Sequence, residues 1–129
     1  MRYLGIDYGT KKVGLALSDE GGTLAFPHSV LKNNPALLRG ITDICQKEKV
    51  KEIVIGESLD YKGKDNLVME KILPFKKNLN TRTGIPIHFQ TEILTTREAK
   101  RVDDNKTIID ARAATLMLQS FLDSREYQL

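Results

Sequence analysis

Two short apolar segments joined by a glycine turn open the chain, and they constrain its fold more than any other feature. In the stretch GIDYGTKKVGLALSD, from Gly5 to Asp19, apolar residues alternate with others on both sides of Gly9-Thr10. A period of two is typical of β-strands, and the glycine predicts a tight connection between them. Asp7 stands at the end of the first segment, and an acid at the end of a central strand needs either a partner or a function. The segment therefore predicts an antiparallel strand pair with a chemically significant carboxylate at one end.

Hydrophobic periodicity predicts further strands and helices along the rest of the chain. The predicted elements are a strand from Leu24 to Leu31, a helix beginning at Asn34-Pro35, a strand from Val50 to Gly56, a helix through Val68 and Leu79, a strand from Ile85 to Phe89, and helices beginning at Thr95 and Thr107. Pro74 is expected to end or kink the second helix, and Pro86 predicts that the fifth strand begins at an edge or has a free amide side. The order βββαβαβαα predicts an α/β fold. Its mixed five-stranded sheet has three antiparallel strands, then helix-linked strands, and is flanked by helices.

Length and composition favour one domain over residues 1–129. No apolar run approaches the ~18 residues of a membrane span, and no leader pattern precedes the first strand, so no membrane partner is expected. The single cysteine, Cys45, suits a reducing cytosol and predicts a cytoplasmic protein. The net charge of +3 favours polyanionic partners such as nucleic acids.

Four acids fall at positions where a predicted strand or helix begins or ends. Asp7 ends the first strand, Glu57 and Glu92 follow the fourth and fifth strands, and Asp110 is expected in the first turn of the last helix. The carboxyl ends of parallel strands form the usual site of an α/β sheet. The small pair Ala113-Ala114 shares the helical face of Asp110 and would let that helix approach the sheet closely.

Clustered carboxylates repel one another unless a cation compensates them, and an all-oxygen site fits Mg²⁺ or Mn²⁺. Structural alternatives remain open for three of the four acids. Asp110 suits a helix N-terminus in any protein, and Glu57 and Glu92 suit an exposed surface. His28 and His88 lack metal-ligand spacing and are interpreted as ordinary strand residues. The sequence also lacks the C-x-x-C, G-x-S-x-G and G-x-x-x-x-G-K-[ST] patterns.

Four segments in order carry a resemblance to a known family: MRYLGIDYGTKKVGLALSD, IVIG, TEILTTREA and IDARAATLMLQSFL. Together they resemble the YqgF family of Holliday-junction-resolvase-like proteins, which are described as pre-rRNA processing nucleases. The resemblance implies an RNase H-like fold. It also implies a metal-dependent phosphodiesterase that cuts structured RNA, in ribosome biogenesis, or branched DNA. The family's acidic positions fall on Asp7, Glu92 and Asp110.

The sequence departs from the family pattern in two places. Thr91-Glu92-Ile93 stands where the family has Asp-Glu-Arg, and Glu57-Ser58 stands where it has an apolar residue and a proline. Glu57 either supplies a carboxylate, as the junction resolvases do at the end of the fourth strand, or reflects drift in a weakened site.

Two-metal hydrolysis is the mechanism that these residues lead us to expect, with two ions ~3.5–4 Å apart. Asp7 would bridge the ions, and Glu92, Asp110 and Glu57 would complete their ligands. Lys11, Lys12 and Arg97 are the candidates for contacts with substrate phosphates.

Three alternatives remain open at this stage. D-x-G-T also opens the actin and sugar-kinase ATPases, although 129 residues leave no room for their second domain. A catalytically degenerate RNA- or ribosome-binding protein is the second alternative, and a resolvase acting on DNA junctions is the third. The oligomeric state, monomer or homodimer, is left open as well.

Overall fold

The chain folds as one mixed sheet with helices on both of its faces. The computed structural model describes residues 1–57, 67–91 and 106–126. The elements in these ranges are β1 (Arg2–Tyr8), β2 (Lys12–Ser18), β3 (Ala25–Lys32), α1 (Leu37–Lys47), β4 (Val50–Glu57), α2 (Leu67–Thr83), β5 (Ile87–Thr91) and α3 (Lys106–Glu126). No helix within them has the length and apolar character needed to cross a membrane.

The sheet has the order β3-β2-β1-β4-β5, with β1 at its centre. The pairs β1–β2 and β2–β3 are antiparallel, whereas β1–β4 and β4–β5 are parallel. This arrangement confirms the predicted mixed sheet, in which a meander of three strands precedes two helix-linked strands. Because β1, β4 and β5 run in one direction, their carboxyl ends share one edge of the sheet.

Alternate residues of the central strand face two separate hydrophobic clusters. Leu4 and Ile6 point to the larger cluster, where the apolar residues of α1 and α2 cover the sheet. Gly5 points to the other face, where α3 packs against the sheet. Cys45 belongs to the larger cluster and is 4% exposed, as expected of a core residue.

The first helix begins later than the sequence pattern indicates. α1 starts at Leu37 with Ala36 at its N-cap, and no side chain caps it. Asn34 instead forms a turn before the helix: its Oδ1 accepts a hydrogen bond from the Ala36 amide at 2.9 Å, and its carbonyl accepts one from the Leu37 amide at 3.0 Å. An Asn-Pro pair favours such a turn as readily as a helix start, so the predicted cap at Asn34-Pro35 was wrong by about half a turn.

The predictions made from Pro74 and Pro86 differ in how they compare with the structure. α2 continues through Pro74, so the helix does not end there, and the alternative expectation of a kink stays a prediction. Ile72 and Phe75 are buried on either side of Pro74, and this packing on the sheet outweighs the local preference. β5 is an edge strand, as Pro86 predicted, and the Pro86 carbonyl accepts a hydrogen bond from the Ile53 amide at 2.9 Å. The helix predicted from Thr95 lies outside the described residues.

Candidate active site

Asp7 lies near the carboxyl end of β1, on the face of the sheet that α3 covers. It pairs with Gly14 across the β1–β2 ladder and is partly buried. Tyr3 and Gly5 precede it at intervals of two residues, and both contact α3. Strand alternation therefore directs the Asp7 side chain to the same face.

α3 runs antiparallel to β1 and approaches it closely at Gly5. The Tyr3 and Phe121 ring centroids are 6.2 Å apart. At Gly5, a Cβ atom would lie 2.8 Å from the Leu118 Cβ and 3.3 Å from the Ala114 carbonyl oxygen. A side chain at this position would not fit, so the absence of one sets the distance between the strand and the helix. Ala114, which the sequence marked as a small residue on the Asp110 face, is fully buried at this contact.

The backbone of Asp110 lies one helical turn before Ala114. Because α3 begins at Lys106, Asp110 is its fifth residue, and the prediction of a first-turn position was wrong. This position makes it less favourable for Asp110 to serve only as a stabilising charge at the helix N-terminus, since the effect of the helix dipole is largely confined to the first turn. The Asp110 side chain lies outside the described part of the structure.

The other two predicted acids belong to the carboxyl ends of β4 and β5. Glu57 is the last residue of β4 and pairs with Thr91, the last residue of β5. Glu92 follows Thr91 directly and, like Arg97, lies outside the described residues. Of the four acids, only Asp7 has a described side chain. The side chains that the structure describes include no group of three or more that could hold a metal ion.

The turn after Asp7 carries the predicted phosphate-binding lysines and is tied to the end of β3. Asn33 donates a hydrogen bond from Nδ2 to the Gly9 carbonyl at 2.7 Å, and its amide donates one to the Lys11 carbonyl at 2.9 Å. A Cβ atom at Gly9 would lie only 2.4 Å from the Lys12 carbonyl oxygen. Lys11 and Lys12 are both exposed. Asn33 was missed by the sequence analysis, although an asparagine directly after a strand is a recognisable turn signal.

His88 is not the ordinary strand residue that the sequence indicated. Its Nε2 lies 2.6 Å from the Glu52 Oε1, and the Arg125 Nη1 donates to the same oxygen at 3.0 Å. Burial alone would raise the pKa of Glu52, but the hydrogen bonds from His88 and Arg125 outweigh it and hold the pKa below its usual value. This cluster joins the C-terminal end of α3 to β4 and β5, far along the helix from Asp110. No sequence pattern indicated Glu52.

Solved structures with the same architecture are Holliday-junction resolvases. Thermus thermophilus RuvC in complex with a Holliday junction substrate is 15% identical, covers 98% of this chain and 96% of its own, and has a TM-score of 0.65. The fowlpox virus resolvase in complex with Holliday junction DNA is 11% identical, covers 97% and 99%, and has a TM-score of 0.62. The chain therefore has the RNase H-like fold of these resolvases, as the resemblance implied.

Residues 1–124 match the family model described as "RuvX: Holliday junction resolvase". A relative from Nitratidesulfovibrio vulgaris is 34% identical over an alignment of 138 positions, which covers 98% of this chain and 96% of the relative. One from Maridesulfovibrio salexigens is 36% identical over an alignment of 132 positions, which covers 95% of this chain and 98% of the relative. Both relatives are named "Putative pre-16S rRNA nuclease". This chain belongs to the RuvX family, and the YqgF resemblance is confirmed.

Proposed function

We propose that this protein is a metal-dependent nuclease that hydrolyses phosphodiester bonds in ribosomal RNA precursors. The observation that carries the proposal is the position of Asp7. It lies at the edge where three parallel strands end, on the face where α3 packs against β1. Family membership and the names of the relatives support this nuclease interpretation over the nucleotide-binding one. The proposed location is the cytoplasm.

The packing of α3 on β1 supports a contact between Asp7 and Asp110. Tyr3 and Gly5 meet successive turns of the helix, at Phe121 and then at Leu118 and Ala114. Two residues of a strand span about 7 Å and one helical turn about 5.4 Å, so strand and helix advance at similar rates. The next inward-facing residue of β1, Asp7, would then meet the next turn of α3, at Asp110.

The proposed ligands are carboxylate oxygens, which suit hard divalent cations such as Mg²⁺ or Mn²⁺. Asp7, Glu92, Asp110 and Glu57 are the residues that would hold these ions. The chemistry that such ions supply when bound is activation of the attacking water and stabilisation of the leaving oxygen. The protein's own part is to orient the carboxylates on rigid strand and helix ends and to exclude water on the side covered by α3. Lys11, Lys12 and Arg97 would hold the substrate phosphates.

The test is cleavage of a labelled pre-16S rRNA fragment and of a four-way DNA junction, with Mn²⁺, with Mg²⁺ and with EDTA. We expect RNA cleavage that needs the metal and falls to background in Asp7→Asn. Asp43→Asn is the matched control, because Asp43 is an exposed acid on α1, on the opposite face of the sheet. Thermal melting of both variants checks that they fold.

Each other outcome points to a different function. Cleavage of the junction alone would favour a DNA resolvase. Binding of RNA without cleavage under any metal condition would favour a nucleic-acid-binding protein built on a nuclease fold. Equal cleavage by wild type and Asp7→Asn would contradict the proposed site.

A further inference from the structure

Two lysines lie directly opposite each other on neighbouring strands beside Asp7. Lys12 on β2 pairs with Lys32 on β3, and both are exposed. Lys12 is two residues from Gly14, the cross-strand partner of Asp7, so Lys12 and Asp7 are diagonal neighbours. Such neighbours are about 7–8 Å apart. All three side chains therefore project from the same face of the sheet, the face of the proposed site.

A directly opposed pair of like charges lowers the stability of a sheet. Neither lysine forms an ion pair with a carboxylate that the structure describes. The repulsion between Lys12 and Lys32 is thus not relieved within the described part of the molecule. A polyanion lying across the two strands would relieve it, because one phosphate or two successive phosphates could contact both ammonium groups.

The backbone around the pair is fixed before any ligand binds. Asn33, next to Lys32, holds the carbonyls of Gly9 and Lys11 through its side chain and its amide. The turn that leads into Lys12 is therefore tied to the strand end that carries Lys32. A preorganised pair loses less conformational freedom on binding than two lysines on independent loops.

We propose that Lys12 and Lys32 form one phosphate-binding pair, which leads the substrate strand from the catalytic edge across β2 towards β3. This inference rests on the proposed nuclease function and adds to it a site residue, Lys32, and a direction for the bound strand. Neighbouring strands are about 4.8 Å apart, so Lys32 extends the contact surface to about 10 Å from β1. Asn33 is the positioning residue of this pair, because it acts through the backbone of the turn.

The experiment measures binding of a fluorescently labelled RNA stem-loop over a range of KCl concentrations, in the Asp7→Asn background so that the RNA stays intact. The plot of log K against log salt has a negative slope, and each lost phosphate contact reduces the magnitude of that slope by about 0.7–0.9. We expect Lys32→Gln to make the slope less steep by about this amount, and Lys32→Arg to keep the slope of the parent. Lys51→Gln is the matched control, since Lys51 is an exposed lysine near the start of β4, at the opposite edge of the sheet. We also expect the Tm of Lys32→Gln to equal or exceed that of its parent, because the repulsion with Lys12 is removed.

The outcomes separate this inference from the function on which it rests. An unchanged slope in Lys32→Gln, with RNA still bound by the parent, would overturn the inference alone. Equal reductions of the salt slope in Lys32→Gln and Lys51→Gln would also overturn the inference, since only the overall charge of the protein would then matter. A parent that binds neither the RNA stem-loop nor a four-way DNA junction would overturn the inference and the proposed function together.

Discussion

Gly5 shows how a single missing side chain can set the position of a whole helix. A Cβ atom there would meet the Leu118 Cβ and the Ala114 carbonyl oxygen, neither of which is the end of a flexible side chain. We therefore predict that Gly5→Ala lowers the free energy of unfolding by about 1–3 kcal/mol, the usual range for overpacking. Urea denaturation followed by circular dichroism measures the change.

Gly21→Ala is the control for this prediction. A Cβ atom at Gly21 would have only the Asp19 Oδ2 nearby, at 3.9 Å, so its substitution should change the unfolding free energy by less than about 0.5 kcal/mol. Equal effects of the two substitutions would show that the helix is free to move away from β1. The same displacement would separate Asp110 from Asp7, so Gly5→Ala should also reduce cleavage.

The sequence predicted the acid at the end of β1 but not the pairing of Glu52 with His88. Asp7 is recognisable because it is an acid at the end of a central strand. Glu52 and His88 alternate with apolar residues as any exposed strand residues would, and their pairing depends on the register between β4 and β5. That register is a three-dimensional property that no local pattern encodes.

Glu52 links the C-terminal end of α3 to β4 and β5 through its contacts with Arg125 and His88. Its hydrogen bonds from His88 and Arg125 lower its pKa, so its contribution to stability is complete above the ordinary pKa of 4.5. That contribution is lost as the pH falls through the lower pKa of the folded state. We predict that Glu52→Gln lowers the unfolding free energy at pH 7 by about 1.5–3 kcal/mol, and that this difference from wild type narrows as the pH falls below 4.5.

Glu48→Gln provides the comparison for Glu52→Gln. Glu48 also lies near a histidine, His28, but at 3.8 Å and with both side chains a quarter exposed. Replacing Glu48 should change the unfolding free energy little at any pH, because ion pairs near the surface contribute little to stability. A constant gap between wild type and Glu52→Gln from pH 7 to pH 3 would show that the carboxylate charge is not what fastens the helix.

Element types were predictable from the sequence where tertiary packing agreed with the local pattern. All five strands were predicted from short apolar segments, whether alternating or continuous, and their observed bounds are close to those expected. Helix ends were less predictable: Asn34 favours a turn as much as a cap, and Pro74 is overridden by buried neighbours. Local propensity is a weak guide wherever burial decides.

For the molecule as a whole, metal binding should appear as added stability even without substrate. A ligand that binds only the folded state at 100 times its Kd stabilises it by about 2.7 kcal/mol. We therefore predict that saturating Mn²⁺ raises the Tm of wild type by several degrees, that EDTA reverses the shift, and that Asp7→Asn abolishes it. Differential scanning calorimetry measures all three.

The Tm shift in Asp7→Asn decides whether the metal binds at the proposed site. An equal Tm shift in wild type and Asp7→Asn would place metal binding elsewhere on the chain. Ca²⁺ serves as a further comparison, because it tests whether the site prefers a small cation with strict geometry.

The overall topology was predictable because few arrangements satisfy a meander followed by right-handed crossovers. The sheet order was not predicted, but the shared edge of β1, β4 and β5 follows from these rules. The register of α3 on β1 does not, since it depends on a close approach at Gly5 between segments more than a hundred residues apart. Assembly of the site from the four acids therefore stays a prediction at the side-chain level.

The packing of α3 on β1 also means that the proposed site is completed only at the end of synthesis. Chains are synthesised at about 5–20 residues per second, so α3 emerges several seconds after the strand that carries Asp7. Until that helix docks, the proposed site lacks Asp110 and the cover over Asp7. An unfinished chain would thus lack the proposed nuclease activity until its last helix has docked.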